Sequence, residues 1–240
     1  RSNPRLLHDL FGVNAELLID HAWGWEPCTI AAIKTYRPKS SSLSSGQVLP
    51  EPYPHEKARL IVREMADQLS LELVEKGLVC SQFVLDIGYD AENLSAPAQQ
   101  RSYHGLTKTD RYGRAVPAAA HGSVNLPVPA SSARILMQAA AEVFDRIADS
   151  RLSVRRVTVT AAGLLRQEEA QLVGGDQLDF FGNYAAHQQQ KAELERELSG
   201  QQAIVALRRK YGKNVVLRGM DLQEGATTKG RNGQIGGHKA

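Results

Sequence analysis

Apolar positions divide the chain into a helical start, an alternating middle and a polar, helical end. Leu6, Leu7, Leu10 and Phe11 recur at helical spacing until Gly12 interrupts them. Asn14 is placed to cap a second helix carrying Leu17, Leu18 and Ile19, and Gly24 ends it. Pro27 then precedes a short run over residues 28–33. Residues 39–45, Lys-Ser-Ser-Ser-Leu-Ser-Ser, fit either a linker or an exposed strand with hydroxyls on one face. Pro50, Pro52 and Pro54 punctuate residues 46–54.

The middle of the chain has the clearest periodicity. Ala58, Ile61, Val62, Met65, Leu69 and Leu73 form the stripe of an amphipathic helix from His55 to Lys76, which Gly77 stops. Residues 80–89 alternate, with Phe83, Leu85 and Ile87 on one face and Gln82, Val84 and Asp86 on the other. Residues 90–117 read as a polar loop or hairpin extension, and residues 118–126 as a shorter strand that Pro127 and Pro129 end. Ser131 or Ser132 caps a second helix with Ile135, Leu136, Ala139, Val143, Phe144 and Ile147 on its stripe. Residues 154–162 form a strand with Val157 and Val159 on one face and Arg156, Thr158 and Thr160 on the other.

The order strand, helix, strand, strand, helix, strand predicts an α+β fold of the ferredoxin-like, split βαβ type. Both helices would cover one face of the sheet. The other face would carry Ser, Gln, Asn, Thr and Arg. Such a face is either simply solvated or offered to a polyanion such as a nucleic acid backbone. Beyond it lie a short apolar cluster at residues 177–181 between glycines, two helical runs at 187–198 and 202–211, and a Gly-rich basic end over 225–240 that reads as disordered.

Composition narrows the classes. The 240 residues are 42% hydrophobic but only 6% aromatic, so the core should be aliphatic. No apolar run is long enough to span a membrane and no signal peptide is visible, which predicts a cytoplasmic protein. Cys28 and Cys80 lack ligand spacing and read as reduced, packed thiols. The histidines form no metal-binding pattern, and Asp86, a lone strand carboxylate, is expected to pair with an arginine. The net charge of +3 is modest but unevenly placed. Residues 201–240 hold eight Lys/Arg against Asp221 and Glu224, whereas residues 166–200 hold three basic residues against seven acidic ones. The basic end reads equally as a second nucleic-acid contact or as a solubilising tail.

Several motifs carry a family resemblance. Lys39-Ser40-Ser41-Ser42 resembles the signature that opens the little finger domain of Y-family (translesion) DNA polymerases. Residues 110–117 (Asp-Arg-Tyr-Gly-Arg-Ala-Val-Pro), His121-Gly122 and residues 152–157 (Leu-Ser-Val-Arg-Arg-Val) are similar to the UmuC/ImpB/MucB-like branch. Residues 211–220 and 231–240 resemble the endings of Gram-positive members. The resemblance implies the end of a helical thumb over residues 1–36, a DNA-binding little finger domain over 39–163, and a tail over 164–240. It implies the C-terminal region of a DNA polymerase in translesion synthesis and DNA repair. The carboxylates for catalytic Mg2+ would lie in a palm upstream. No matching motif occurs here, so this chain is expected to lack polymerase activity by itself, and its start at Arg1-Ser2-Asn3-Pro4 fits a piece of a longer chain.

On this reading Lys39, Ser40, Ser41, Ser42, Arg155, Arg156 and Thr158 would contact the backbone of primer–template duplex with little sequence preference. For Arg155 and Arg156, the competing expectation is pairing with acids such as Glu92 or Asp149. Gln177, Leu178, Asp179, Phe180 and Phe181 look like the pentapeptide that docks bacterial polymerases on the sliding clamp, with a staple on the domain's own core as the alternative. Two other functions compete: a stand-alone adaptor that binds DNA and the clamp, and an RNA-binding ferredoxin-like module. The second is disfavoured because the strands lack aromatics for base stacking.

Overall fold

The computed structural model describes residues 3–36, 42–95, 103–110, 112–173, 184–235 and 238–239. The chain splits into two compact units, Arg1–Lys39 and Ser40–Ala240.

The first unit holds three short helices: α1 (Pro4–Phe11), α2 (Asn14–Ala22) and α3 (Ile30–Thr35). Asn3 accepts from the Arg5 N–H at 3.0 Å and Pro4 occupies the first turn, where its missing N–H costs nothing. Asn14 does not cap α2 as the sequence predicts. Val13 already has helical dihedrals, so Asn14 is the helix's first residue and Val13 offers no capping side chain. Thr29 caps α3, accepting from the Ala32 N–H at 3.0 Å. Ala15 alone is buried among the described residues of this unit. Cys28 is accordingly exposed and not packed, because there is no core for it to enter.

The second unit is built on a four-stranded antiparallel sheet, β1 (Ser42–Tyr53), β2 (Leu78–Tyr89), β5 (Ala120–Ala130) and β6 (Val154–Arg166), in the order β1-β6-β2-β5. The small hairpin β3 (Thr107–Thr109) and β4 (Ala115–Pro117) lies between β2 and β5 in sequence. Helices α4 (His55–Lys76) and α5 (Ala133–Ile147) make the crossovers. In each split βαβ unit a third strand separates the two that the helix joins: β6 lies between β1 and β2, and β2 between β5 and β6. This is the α+β architecture that the element order predicts.

The core lies between helices and sheet. Every residue of the predicted α4 stripe is buried, as are Ile135, Leu136, Ala139, Val143 and Phe144 of α5. They meet Phe83, Leu85, Ile87, Val157, Val159 and Ala161 from the sheet. Gly77 ends α4 in the left-handed region at φ 64°, where a side chain is disfavoured. Ser132 caps α5, accepting from the Ile135 N–H at 3.2 Å. Burial pushes the Cys80 thiol up to about 12, which keeps it protonated and packed.

Prolines do not end the outer strands. β5 runs through Pro127 and Pro129, and β1 through Pro50 and Pro52. Both are edge strands, where a residue without an N–H is tolerated on the open side. Both also carry a register irregularity beside their prolines, at Val48/Tyr53 in one pairing and Cys80/Gln82 in the other.

The remaining chain forms α6 (Gln167–Val173), α7 (Tyr184–Tyr211), a 3-10 turn (Gly219–Leu222), α8 (Thr228–Arg231) and a hairpin of β7 (Gln234–Ile235) and β8 (His238–Lys239). The sequence predicts two helices where α7 is continuous through Gly200. Its inner face is anchored there. Gln201, 3% exposed, donates to Ser70 Oγ at 3.2 Å and to the Ser131 carbonyl at 3.1 Å. Glu197 accepts from Ser132 Oγ at 2.6 Å and the Arg134 N–H at 2.9 Å. These anchors outweigh the cost of one helical glycine, about 1 kcal/mol. Within residues 225–240, expected to be disordered, Thr227 and Thr228 dock on α4. The N–H groups of Thr227 and Thr228 donate to the Glu64 carboxylate at 2.9 and 3.2 Å, and Arg218 Nε donates to Asp67 Oδ1 at 2.6 Å.

Candidate nucleic-acid interface

Strand alternation and register decide what the open face of the sheet presents. Rows of residues run across the sheet in the order β1, β6, β2, β5. One row is Ser42, Ala162, Gln82 and Asn125. The next is Ser44, Thr160, Val84 and Ser123, followed by Gly46, Thr158, Asp86 and His121. Val48, Arg156 and Gly88 make the last. Successive rows are about 7 Å apart, from the strand rise over two residues.

The β1–β6 half is small and hydroxyl-rich. Thr160 Oγ1 donates to Ser44 Oγ at 2.9 Å, so neither hydroxyl is committed to the core. A Cβ on Gly46 would stand 3.2 Å from Thr158 Oγ1, and one on Gly88 would stand 3.2 Å from Arg156 Cβ. The two glycines therefore keep the ground low beside Thr158 and Arg156, which project from it. The four rows of this half hold no carboxylate and end at Arg156, a surface against which a phosphate backbone can lie closely.

The β2–β5 half differs. Gln82 Nε2 donates to Asn125 Oδ1 at 3.1 Å, and His121 Nδ1 lies 2.7 Å from Asp86 Oδ1. Asp86 thus pairs with a histidine, not with the arginine expected from the sequence. No arginine stands beside it in its row, while His121 lies directly across the β2–β5 ladder.

Ser42, Arg156 and Thr158 come together on the open face. Arg155 does not join them as a free cation. Strand alternation already turns it away from Arg156, and at the register slip between Gly88 and Tyr89 opposite β6 its Nε lies 3.5 Å from Asp90 Oδ2. The competing expectation, pairing with an acid, therefore holds for Arg155, though with a different acid. Asp149 is taken by Arg151 at 2.7 Å. Lys39, Ser40 and Ser41, and all of Gln177, Leu178, Asp179, Phe180 and Phe181, lie outside the described residues. Ser44, Gly46 and Gly88 belong to the face without being among the site residues that the sequence predicts. Alternation with Leu43 and Leu49 in a serine-rich run is the signal that marks the first two. Among the described residues no group of His, Cys, Asp and Glu is arranged to hold a metal, and no helix is long and apolar enough to cross a membrane.

The family model of the impB/mucB/samB family C-terminal domain matches residues 40–176, which take in the whole sheet and both crossover helices. The chain belongs to the impB/mucB/samB family. Its second unit therefore contains the C-terminal region of a Y-family polymerase, and the open sheet face is a feature of that domain. The three helices of the first unit and α7 to β8 lie outside the matched residues. No curated protein matches the chain at a significant level.

Proposed function

We propose that this impB/mucB/samB domain grips the backbone of duplex DNA with the open face of its sheet, as the non-catalytic, DNA-holding part of a translesion polymerase. The carrying observation is the β1–β6 half of the face, where Ser42, Ser44, Thr158 and Thr160 lead to a row of Val48 and Arg156, with Gly88 of β2 beside the arginine. Hydroxyls and main-chain groups suit phosphate oxygens, and nothing in that half is shaped to read base edges, so affinity should depend little on sequence. An RNA module that stacks bases is disfavoured, because no described residue in the four rows is Phe, Tyr or Trp and the one imidazole, His121, is paired with Asp86.

Fluorescence anisotropy with blunt duplexes of unrelated sequence tests this. Binding should weaken steeply with salt, since it releases counterions. Arg156→Ala should weaken every duplex alike and lower the salt slope by about 1. Salt-independent or absent duplex binding would reject the reading, as would tighter binding to single-stranded RNA.

The same reading gives Gln177, Leu178, Asp179, Phe180 and Phe181 the role of docking on a sliding clamp, with Leu178 and the two aromatics filling an apolar pocket and Gln177 bonding at its rim. What supports it is the residue pattern in a segment bounded by Gly174-Gly175 and Gly182. Phe180→Ala with Phe181→Ala should abolish the heat of binding to the clamp. On this reading the whole polymerase would carry a Mg2+-binding palm and would work in the cytoplasm at the nucleoid.

A further inference from the structure

The rows of the β2–β5 half hold two ionisable groups, Asp86 and His121. They stand directly opposite each other across the ladder, with His121 Nδ1 2.7 Å from Asp86 Oδ1. An ionised carboxylate only accepts, so Nδ1 carries the hydrogen of this bond. Nε2, the other ring nitrogen, has no partner among the described residues, and the His121 side chain is 64% exposed. Asp86 thus fixes the tautomer and the orientation of a ring whose second nitrogen is left to solvent.

The state of Nε2 decides what this half offers a phosphate. In the neutral ring Nε2 is a bare lone pair, and the pair of residues carries the negative charge of Asp86 alone; both repel a phosphate oxygen. In the imidazolium Nε2–H donates, and the pair has no net charge. Asp86 is the charged group directly across from His121. Around the pair, β5 has no other ionisable residue, and neither has β4, which packs on β2. From α5, Arg146 donates to the Ser123 carbonyl at 2.6 Å and lies 3.9 Å from Glu142. From β6, Arg156 stands one row along, beside Gly88.

We propose that His121, oriented by Asp86, is a phosphate contact that forms by taking up a proton from solvent, with Nε2–H donating to a backbone oxygen of the duplex. The inference rests on the duplex grip proposed for the sheet and extends it from the β1–β6 half to the β2–β5 half. A bound phosphate favours the imidazolium, so the ring holds its proton more tightly with DNA than without. Affinity is then full at acid pH and falls as pH rises through the range in which imidazoles ordinarily titrate, about 6 to 8.

Binding of the 240-residue chain to a blunt duplex is measured by anisotropy across that range at fixed ionic strength, and by calorimetry in two buffers of different ionisation enthalpy, which counts protons. The affinity of the unaltered chain should fall about tenfold as pH rises, with net proton uptake on binding near neutral pH. His121→Gln keeps a donor but has no titrating ring. It should remove both the fall and the uptake while binding no more weakly than the unaltered chain at about pH 8, which separates the contact from damage to the sheet. Asp86→Asn takes away the carboxylate that favours the cation and should move the fall to lower pH. No fall in the unaltered chain, a fall that persists in His121→Gln, or an equal loss at every pH overturns the contact and leaves the sheet's role standing if Arg156→Ala still weakens the duplex. Failure of the unaltered chain to bind blunt duplex overturns both.

Discussion

Glu64 and Asp67 stand one turn apart on α4, each 1% exposed, on a face that carries charges in the sequence and yet lies inside the folded chain. Burial pushes the Glu64 carboxyl up from its ordinary 4.5, against the donated N–H groups of Thr227 and Thr228. Burial does the same to Asp67, against the attraction of Arg218. An acid whose value is higher folded than unfolded stabilises the fold below its ordinary value, and that stability is lost as pH rises through the raised one. Asp110, Asp145 and Asp149 move the other way, because arginine partners and backbone N–H groups hold them low, so whole-protein pH curves mix opposing contributions. A difference isolates the effect. Glu64→Gln mimics the protonated carboxyl, so the stability of the unaltered chain relative to this variant should fall as pH rises from about 4.5 through the raised value. Urea unfolding at a series of pH values gives that difference. A flat difference from acid to neutral pH would show that Glu64 titrates as it does in water.

At the scale of elements, the crossover helices and central strands are legible in the sequence because each has one buried face. The stripe of α4 and the alternation of β2 and β6 fix both the element and the side that meets the core. The open face is legible for the same reason, since Ser42, Arg156 and Thr158 share a parity. Arg155 has the other parity, which alone takes it off that face, and only the bulge that brings it beside Asp90 is unmarked in composition. Pro127 and Pro129 read as a strand end, since a proline stops an interior strand; only the sheet order shows that β5 is an edge. Docking of the tail is illegible, because its partners lie far apart in sequence and a charge on a helix reads as solvated. Arg218 to Asp67 carries most information here. Replacing Arg218 with Met leaves a buried carboxylate without its cation. The cost should be roughly 2 kcal/mol, below that for a wholly buried pair because the Arg218 side chain keeps 41% exposure. The double variant with Asp67→Asn should recover part of the loss. Unfolding midpoints that add independently would show that the two groups do not interact.

Across the whole molecule, the uneven charge and the uneven burial point to different jobs for different stretches. Much of the tail's positive charge faces α4: Arg218 meets Asp67, Arg209 meets Glu75 at 3.1 Å, and Arg208 donates to Gln68 at 2.9 Å. Part of this excess therefore serves docking within the second unit. The aromatic residues divide as sharply. The chain has two tryptophans, Trp23 and Trp25, both in the first unit and 80% and 59% exposed. The core of the second unit is built from Phe83, Phe144, Tyr53, Tyr89 and aliphatic side chains. Tryptophan emission should thus be nearly blind to unfolding of the sheet. As denaturant is raised, far-ultraviolet circular dichroism should fall in a cooperative step from loss of α4, α5 and the strands, while the emission maximum, already that of solvated indole, should barely move. A native maximum at short wavelength that shifts red together with the dichroism would mean that Trp23 and Trp25 are buried, and that the first unit has a core of its own.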